Sequence, residues 1–166
     1  MQASLCFSPS FMIKSIIMRA VVQRVTSAAV AVNQQTIASI EQGLLVFLGV
    51  HKEDTDRDVT NLAAKIVNLR LFEDRQGKMN LSLLHTGGSM LIVSQFTLLG
   101  DCRRGRRPSW SMAAAPDIAR QLYEQFISNV QHRGIPTAWG QFQATMQVSL
   151  VNDGPVTMLI DSHKLF

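Results

Sequence analysis

From Met18 onward, apolar and polar residues alternate in short runs with the two-residue period of half-buried strands. Residues 18–25 and 28–32 read as strands, with 33–35 as the turn before a third strand at 36–40. Residues 44–50 are a continuous apolar run, which suits a strand covered on both faces. The period then lengthens. Thr55 and Asp58 have capping-box spacing, and Val59, Leu62, Ala63, Ile66 and Leu69 recur at helical intervals. A strand-like stretch at 70–73 leads through a turn at 74–77 to a short segment at 80–84. Gly87 and Gly88 break the chain before a second buried strand, predicted over 89–98. A basic loop follows at 100–109. Pro116 then opens a helix whose stripe is Ile118, Leu122, Phe126 and Val130, ended by Gly134 and Pro136. Closing strands at 144–151 and 156–161 flank the tetrapeptide Asn152-Asp153-Gly154-Pro155. The pattern predicts one α/β domain, rich in sheet, with two principal helices and no repeat or linker.

Composition narrows the class. Of 166 residues, 46% are apolar and 17% charged, an ordinary globular balance. Sixteen basic against twelve acidic residues give a net charge of +4, which favours a polyanionic partner only weakly. Cys6 and Cys102 form no CxxC pair, and a secreted scaffold would carry more bridges. His51, His85, His132 and His163 lie far apart without ligand-like spacing, so neither a metal nor any other cofactor is expected. No apolar run reaches the length of a membrane span. Residues 1–17 lack a basic n-region and a cleavage site, and read as a loose tail or an upstream start. The expectation is a cytoplasmic, reducing-compartment protein whose single domain covers 18–166.

No nucleophile elbow, Walker loop or dinucleotide fingerprint is present. Three segments stand out instead. Ser94-Gln95-Phe96-Thr97 closes an apolar strand with polar groups that must find partners, and at a cleft they could hold an ester or a ribose. Alternatively they face solvent or a neighbouring strand. Arg103, Arg104, Arg106 and Arg107 surround Gly105 in a cluster suited to phosphates, or to a solvated charged face. Trp110 beside it offers a stacking surface, although a lone tryptophan more often packs. The third segment, Asn152-Asp153-Gly154-Pro155, reads on spacing as a plain turn between two strands.

Taken in order, five motifs resemble the D-aminoacyl-tRNA deacylases, formerly D-tyrosyl-tRNA deacylases. They are Met18-Arg19-Ala20-Val21-Val22-Gln23-Arg24-Val25, Lys78-Met79-Asn80-Leu81-Ser82, the segment Ser94 to Thr97, Gly105-Arg106-Arg107-Pro108-Ser109, and the run from Met146 to Thr157. The similarity extends from Met18 to about Ser162. It implies a barrel-like, sheet-rich core with helices packed outside, assembled as a homodimer. It implies a hydrolase of the ester between a D-amino acid, or glycine, and the terminal adenosine of tRNA. Ser94, Gln95, Phe96 and Thr97 then line the pocket, with Ser94, Gln95 and Thr97 catalytic and Phe96 binding substrate; Thr97 is expected to position the ester, the rival role being nucleophile, and the adenosine 2′-hydroxyl takes a direct part. Gly154-Pro155 is expected to be cis and inserted into the partner subunit's pocket, where a rigid backbone rejects L-amino acids, with Arg24 bracing it. Cys102, Trp110 and Gln143 depart from the family's threonine, phenylalanine and glycine. Two rival readings are a non-catalytic RNA-binding module and an esterase for another acyl ester.

Overall fold

The computed structural model describes residues 18–163, so the expectation for residues 1–17 lies outside what it describes. β1 (Arg19–Val32) is the spine. Its first half pairs antiparallel with β3 (Gly43–Gly49) and its second half with β2 (Gln35–Ile40). Asn33 and Gln34 join β1 to β2 with φ of 49° and 66°, the positive values of a primed hairpin turn. The two strands expected at 18–25 and 28–32 are therefore one. Register shifts between Gln23 and Ser27 bend it without ending it.

β3 is buried along both faces and has a parallel neighbour, as its continuous apolar run requires. Between them in sequence lie α1 (Asp56–Val67), β4 (Phe72–Glu73), β5 (Met79–Leu81) and the short helix α2 (Leu83–Thr86). The Asp58 carboxylate accepts from the Thr55 N–H at 3.0 Å and the Thr55 hydroxyl at 2.7 Å, closing the first turn of α1. α2 had not been anticipated. It is a single turn, capped by Ser82 and His85, with Gly87 ending it at φ 66°.

β6 (Ser89–Ser94) runs parallel to β3. It stops earlier than residue 98, because Gln95 leaves extended geometry and Phe96–Leu99 wind into a 3-10 turn. α3 (Pro116–Gln131) follows, buried through Leu122, Tyr123, Phe126, Ile127 and Val130. Ile118, expected on that stripe, is 48% exposed, since the first turn of α3 overhangs a shallow opening beside Asp54 to Arg57. A short strand missed in the sequence, β7 (Thr137–Trp139), adds parallel to β6.

β8 (Gln147–Asp161) corrects the reading of a turn between two strands. Both halves pair antiparallel with β1, and between Gln23 and Val25 the partner position jumps from Thr157 to Asn152. The chain does not reverse. It pushes Asp153, Gly154 and Pro155 out of a continuous strand.

The sheet curls, so that β2 at one end of the order approaches β6 and β7 at the other. One core lies between the sheet and the helices, holding Leu44, Val46, Ile92, Leu62, Ile66 and Phe126. A second fills the inside of the curl, holding Val25, Val30, Leu45, Leu91 and Val93. This is a mixed α/β domain with a nearly closed, barrel-like sheet, as the resemblance implied.

Candidate active site

Where β6 ends, the 3-10 turn, the start of α3 and the segment 142–148 enclose a cleft of about 570 Å³. That volume is within the range of small-molecule sites. Its lining includes Ser94, Gln95, Phe96, Ala113, Phe142, Gln143 and Met146, and among the described residues no ionisable side chain lines it. The mouth of the cleft is built by two reaching contacts. The Gln95 N–H donates to the Leu48 carbonyl at 2.8 Å, prolonging the β3–β6 ladder by one bond. Arg19 Nη1 donates to the Leu98 carbonyl at 2.8 Å and so anchors the turn from β1. The Gln95 side-chain amide donates to Thr97 Oγ1, and Thr97, expected in the pocket, is exposed beside the cleft and is not part of its lining.

The opposite wall was not legible in the sequence. Phe142 stands with the Arg120 guanidinium 5.0 Å above its ring and Tyr123 6.0 Å away. Arg120 Nη2 also reaches Gln143 Oε1 at 3.5 Å, and Gln143 sits at φ 62°. The Tyr123 hydroxyl donates to the Ile92 carbonyl at 2.8 Å, and burial pushes its pKa up, so it remains a donor. These residues converge from three separate elements. Only contact in space relates them, so spacing along the chain carried no signal.

Arg24, Gly154 and Pro155 form a second locus and line no part of the cleft within one chain. The Gly154–Pro155 bond is cis. Arg24, buried, donates from Nη1 to the Leu71 carbonyl at 2.6 Å. Its Nε lies 2.9 Å from Asp153 Oδ2, an ion pair set off the hydrogen-bond direction. Asn152 Nδ2 bridges the carbonyls of Arg24 and Val156, both at 3.1 Å. Gly154 has φ 118°, and a Cβ there would stand 2.7 Å from Val156 Cγ2. The locus therefore demands glycine.

The arginine loop is closed by paired bonds between the Asp101 and Ser109 backbones, both 2.9 Å. Arg103 is not free. Its Nε and Nη2 meet the Asp101 carboxylate at 2.9 and 2.7 Å, and that hydrogen bonding holds the carboxyl well below its usual range. Arg104, Arg106 and Arg107 are exposed.

Of the histidines, His51 is buried behind the cleft, with burial lowering its pKa and its N–H donating to Asp54 Oδ2 at 2.6 Å. Burial raises the Asp54 carboxyl to about 7. Neither side chain lines the cleft. Among the described residues no cluster of His, Cys, Asp and Glu is placed to hold a metal, and no helix is long and apolar enough to cross a membrane.

A model of the D-Tyr-tRNA(Tyr) deacylase family matches residues 21–161. The chain is 59% identical over 149 residues to the D-aminoacyl-tRNA deacylase of Thermosipho africanus, covering 90% of this chain and all of that one. It is 60% identical over 145 residues to that of Desulfatibacillum aliphaticivorans, covering 87% and 99%. Among solved structures, the c-Myc DNA unwinding element binding protein superposes with a TM-score of 0.81 at 38% identity, over 86% of this chain and 97% of that one. A probable eukaryotic D-amino acid tRNA deacylase superposes at 0.76 with 19% identity, over 87% and 99%, a likeness of fold.

Proposed function

This chain belongs to the D-Tyr-tRNA(Tyr) deacylase family, and from that premise we propose that it hydrolyses D-aminoacyl-tRNA in the cytoplasm, releasing the amino acid and free tRNA. One observation carries the reading: the SQFT segment, through Ser94, Gln95 and Phe96, opens onto a cleft that no ionisable side chain lines among the described residues. A base-activated nucleophile has no partner there. Thr97 Oγ1 accepts from Gln95 instead of donating to a base. Water therefore attacks the ester carbonyl, and the tetrahedral intermediate expels the ribose oxygen, which leaves with a proton derived from the water. The adenosine 2′-hydroxyl beside that oxygen is the nearest group able to relay the proton. Ser94, Gln95 and Thr97 orient the ester and offer dipoles to the developing charge, while Phe96 bounds the pocket.

Chirality is read, on this proposal, by Gly154 and Pro155 of a second copy set into the open cleft. Arg24 and Asn152 brace that locus from beneath, and it stands exposed in one chain. A fixed backbone wall excludes an L-substituent on the α-carbon whatever its chemistry, and passes both D-substituents and glycine. Arg103, Arg104, Arg106 and Arg107 supply positive charge for the tRNA backbone, with Arg103 already engaged by Asp101.

Incubation with D-Tyr-tRNA, L-Tyr-tRNA and Gly-tRNA tests the whole reading. The D- and glycyl esters are expected to be cleaved and the L-ester spared. Cleavage of none would leave an RNA-binding module, and equal cleavage of D and L a general esterase.

A further inference from the structure

One large aromatic ring, Trp110, stands outside the mechanism just described, and it meets Phe96, the ring that bounds the pocket. Phe96 is 55% exposed and Trp110 41% exposed, and they meet edge to face with centroids 5.2 Å apart. Phe96 belongs to the rim of the cleft; Trp110 lies on the far side of it, at the foot of the arginine loop. Trp110 is held firmly. Its ring packs on Gly100, where an added Cβ would be 2.6 Å from Cζ3, and its carbonyl accepts from the Ala113 N–H at 3.0 Å. Partly exposed rings fixed in this way offer faces on which another π-system can stack.

We infer that Phe96 and Trp110 form a stacking platform for the unpaired nucleotide preceding the terminal adenosine of tRNA, an inference that rests on the hydrolase reading above. Three observations select this occupant. The cleft is uncharged, so the phosphate joined to the terminal nucleoside must leave it. Trp110 follows directly on the loop, closed by Asp101 and Ser109, that carries the exposed Arg104, Arg106 and Arg107, whereas Arg103 is paired with Asp101. Aromatic faces followed by guanidinium groups are the arrangement that binds single strands, where every base offers a π-face and every phosphate a charge. An acceptor end is single-stranded, so one platform serves every tRNA.

The test compares two D-tyrosyl esters, of tRNA and of adenosine alone. Trp110→Ala is expected to raise KM for the tRNA ester by roughly 5- to 150-fold, the worth of one stacked base. The loss on the adenosine ester should be far smaller, and Trp110→Phe should restore most of the difference. In a Trp139→Phe background, which leaves Trp110 as the only tryptophan, a CCA trinucleotide should quench the fluorescence. Equal losses on both esters would make Trp110 a packing residue and overturn the platform, as would unchanged KM without quenching. Quenching in a protein that cleaves neither ester would uphold the platform and defeat the hydrolase reading instead.

Discussion

At the scale of single residues, Thr97 decides between two chemistries. Its oxygen accepts from the Gln95 amide, and the cleft beside it holds no ionisable side chain among the described residues. On the proposed reading such a hydroxyl orients the ester, because no ionisable side chain among the described residues lines the cleft to take its proton. Thr97→Ala is therefore expected to lower kcat by roughly 3- to 10-fold, the worth of one neutral hydrogen bond. Mass spectrometry during turnover should detect no acyl group on Thr97. Complete loss of turnover, or a trapped adduct, would restore the nucleophile. The side of the cleft lined by Ser94, Gln95 and Phe96 was legible because the segment is contiguous and because a polar cluster at the end of an apolar strand is conspicuous. Phe142 and Arg120 were not. An isolated aromatic residue and a helical arginine look ordinary until the fold sets one upon the other.

At the scale of elements, legibility followed the range of the interactions. α1 was readable because its capping box and its stripe of Val59, Leu62, Ala63 and Ile66 are local. β8 was misread as two strands because Asn-Asp-Gly-Pro is turn chemistry, and only pairing of both halves with β1 overrides it. The end of β6 was misplaced for the same reason, since the 3-10 turn is set by Leu48 and Arg19 from distant strands. The approach to α1 also carries a hidden liability. The Asp54 carboxyl is raised by burial from 3.8 to about 7, and its Oδ1 finds no partner among the described residues. An unfolded Asp54 ionises near pH 4, whereas the folded one keeps its proton to about pH 7. Stability is thus lost progressively as pH rises between those values, and stays lower above them. Asp54→Asn keeps an acceptor for the His51 N–H and has no charge to bury. It should stabilise the protein at pH 8 by about 1–2 kcal/mol, a figure reduced from the full shift because the site is partly solvated. At pH 4 the gain should nearly vanish. Urea melts at the two pH values would check this, and an equal gain at both would show that the charge is not the cause.

At the scale of the whole molecule, the exposed face of β8 bears on the proposed dimer. β8 is fifteen residues long and pairs along one edge with β1, and on either side of its Gly-Pro bulge it exposes Val151 at 58% and Leu159 at 61%. A long strand that presents apolar side chains beside a free edge calls for a cover. The braced locus at Gly154 and Pro155 lies outside the cleft of its own chain, and on the proposed reading it completes the cleft of a second copy. One twofold axis satisfies both needs. On the proposed reading, an isologous contact would place each β8 against its counterpart and bring each bulge to the other copy's cleft, so that two sites would form together. The resemblance alone suggested a dimer. The exposed apolar flanks and the displaced bulge supply a physical reason for one. Light scattering should therefore report a dimer at assay concentrations. Replacing Val151 and Leu159 together by Asp should give a folded monomer, because both side chains are largely solvent-exposed in the single chain. That monomer should keep its far-UV circular dichroism and lose deacylation of D-Tyr-tRNA, since its cleft is left without the partner's bulge. A wild-type monomer with full activity, or a monomeric variant that still separates D from L esters, would show that one chain builds the chiral site by itself.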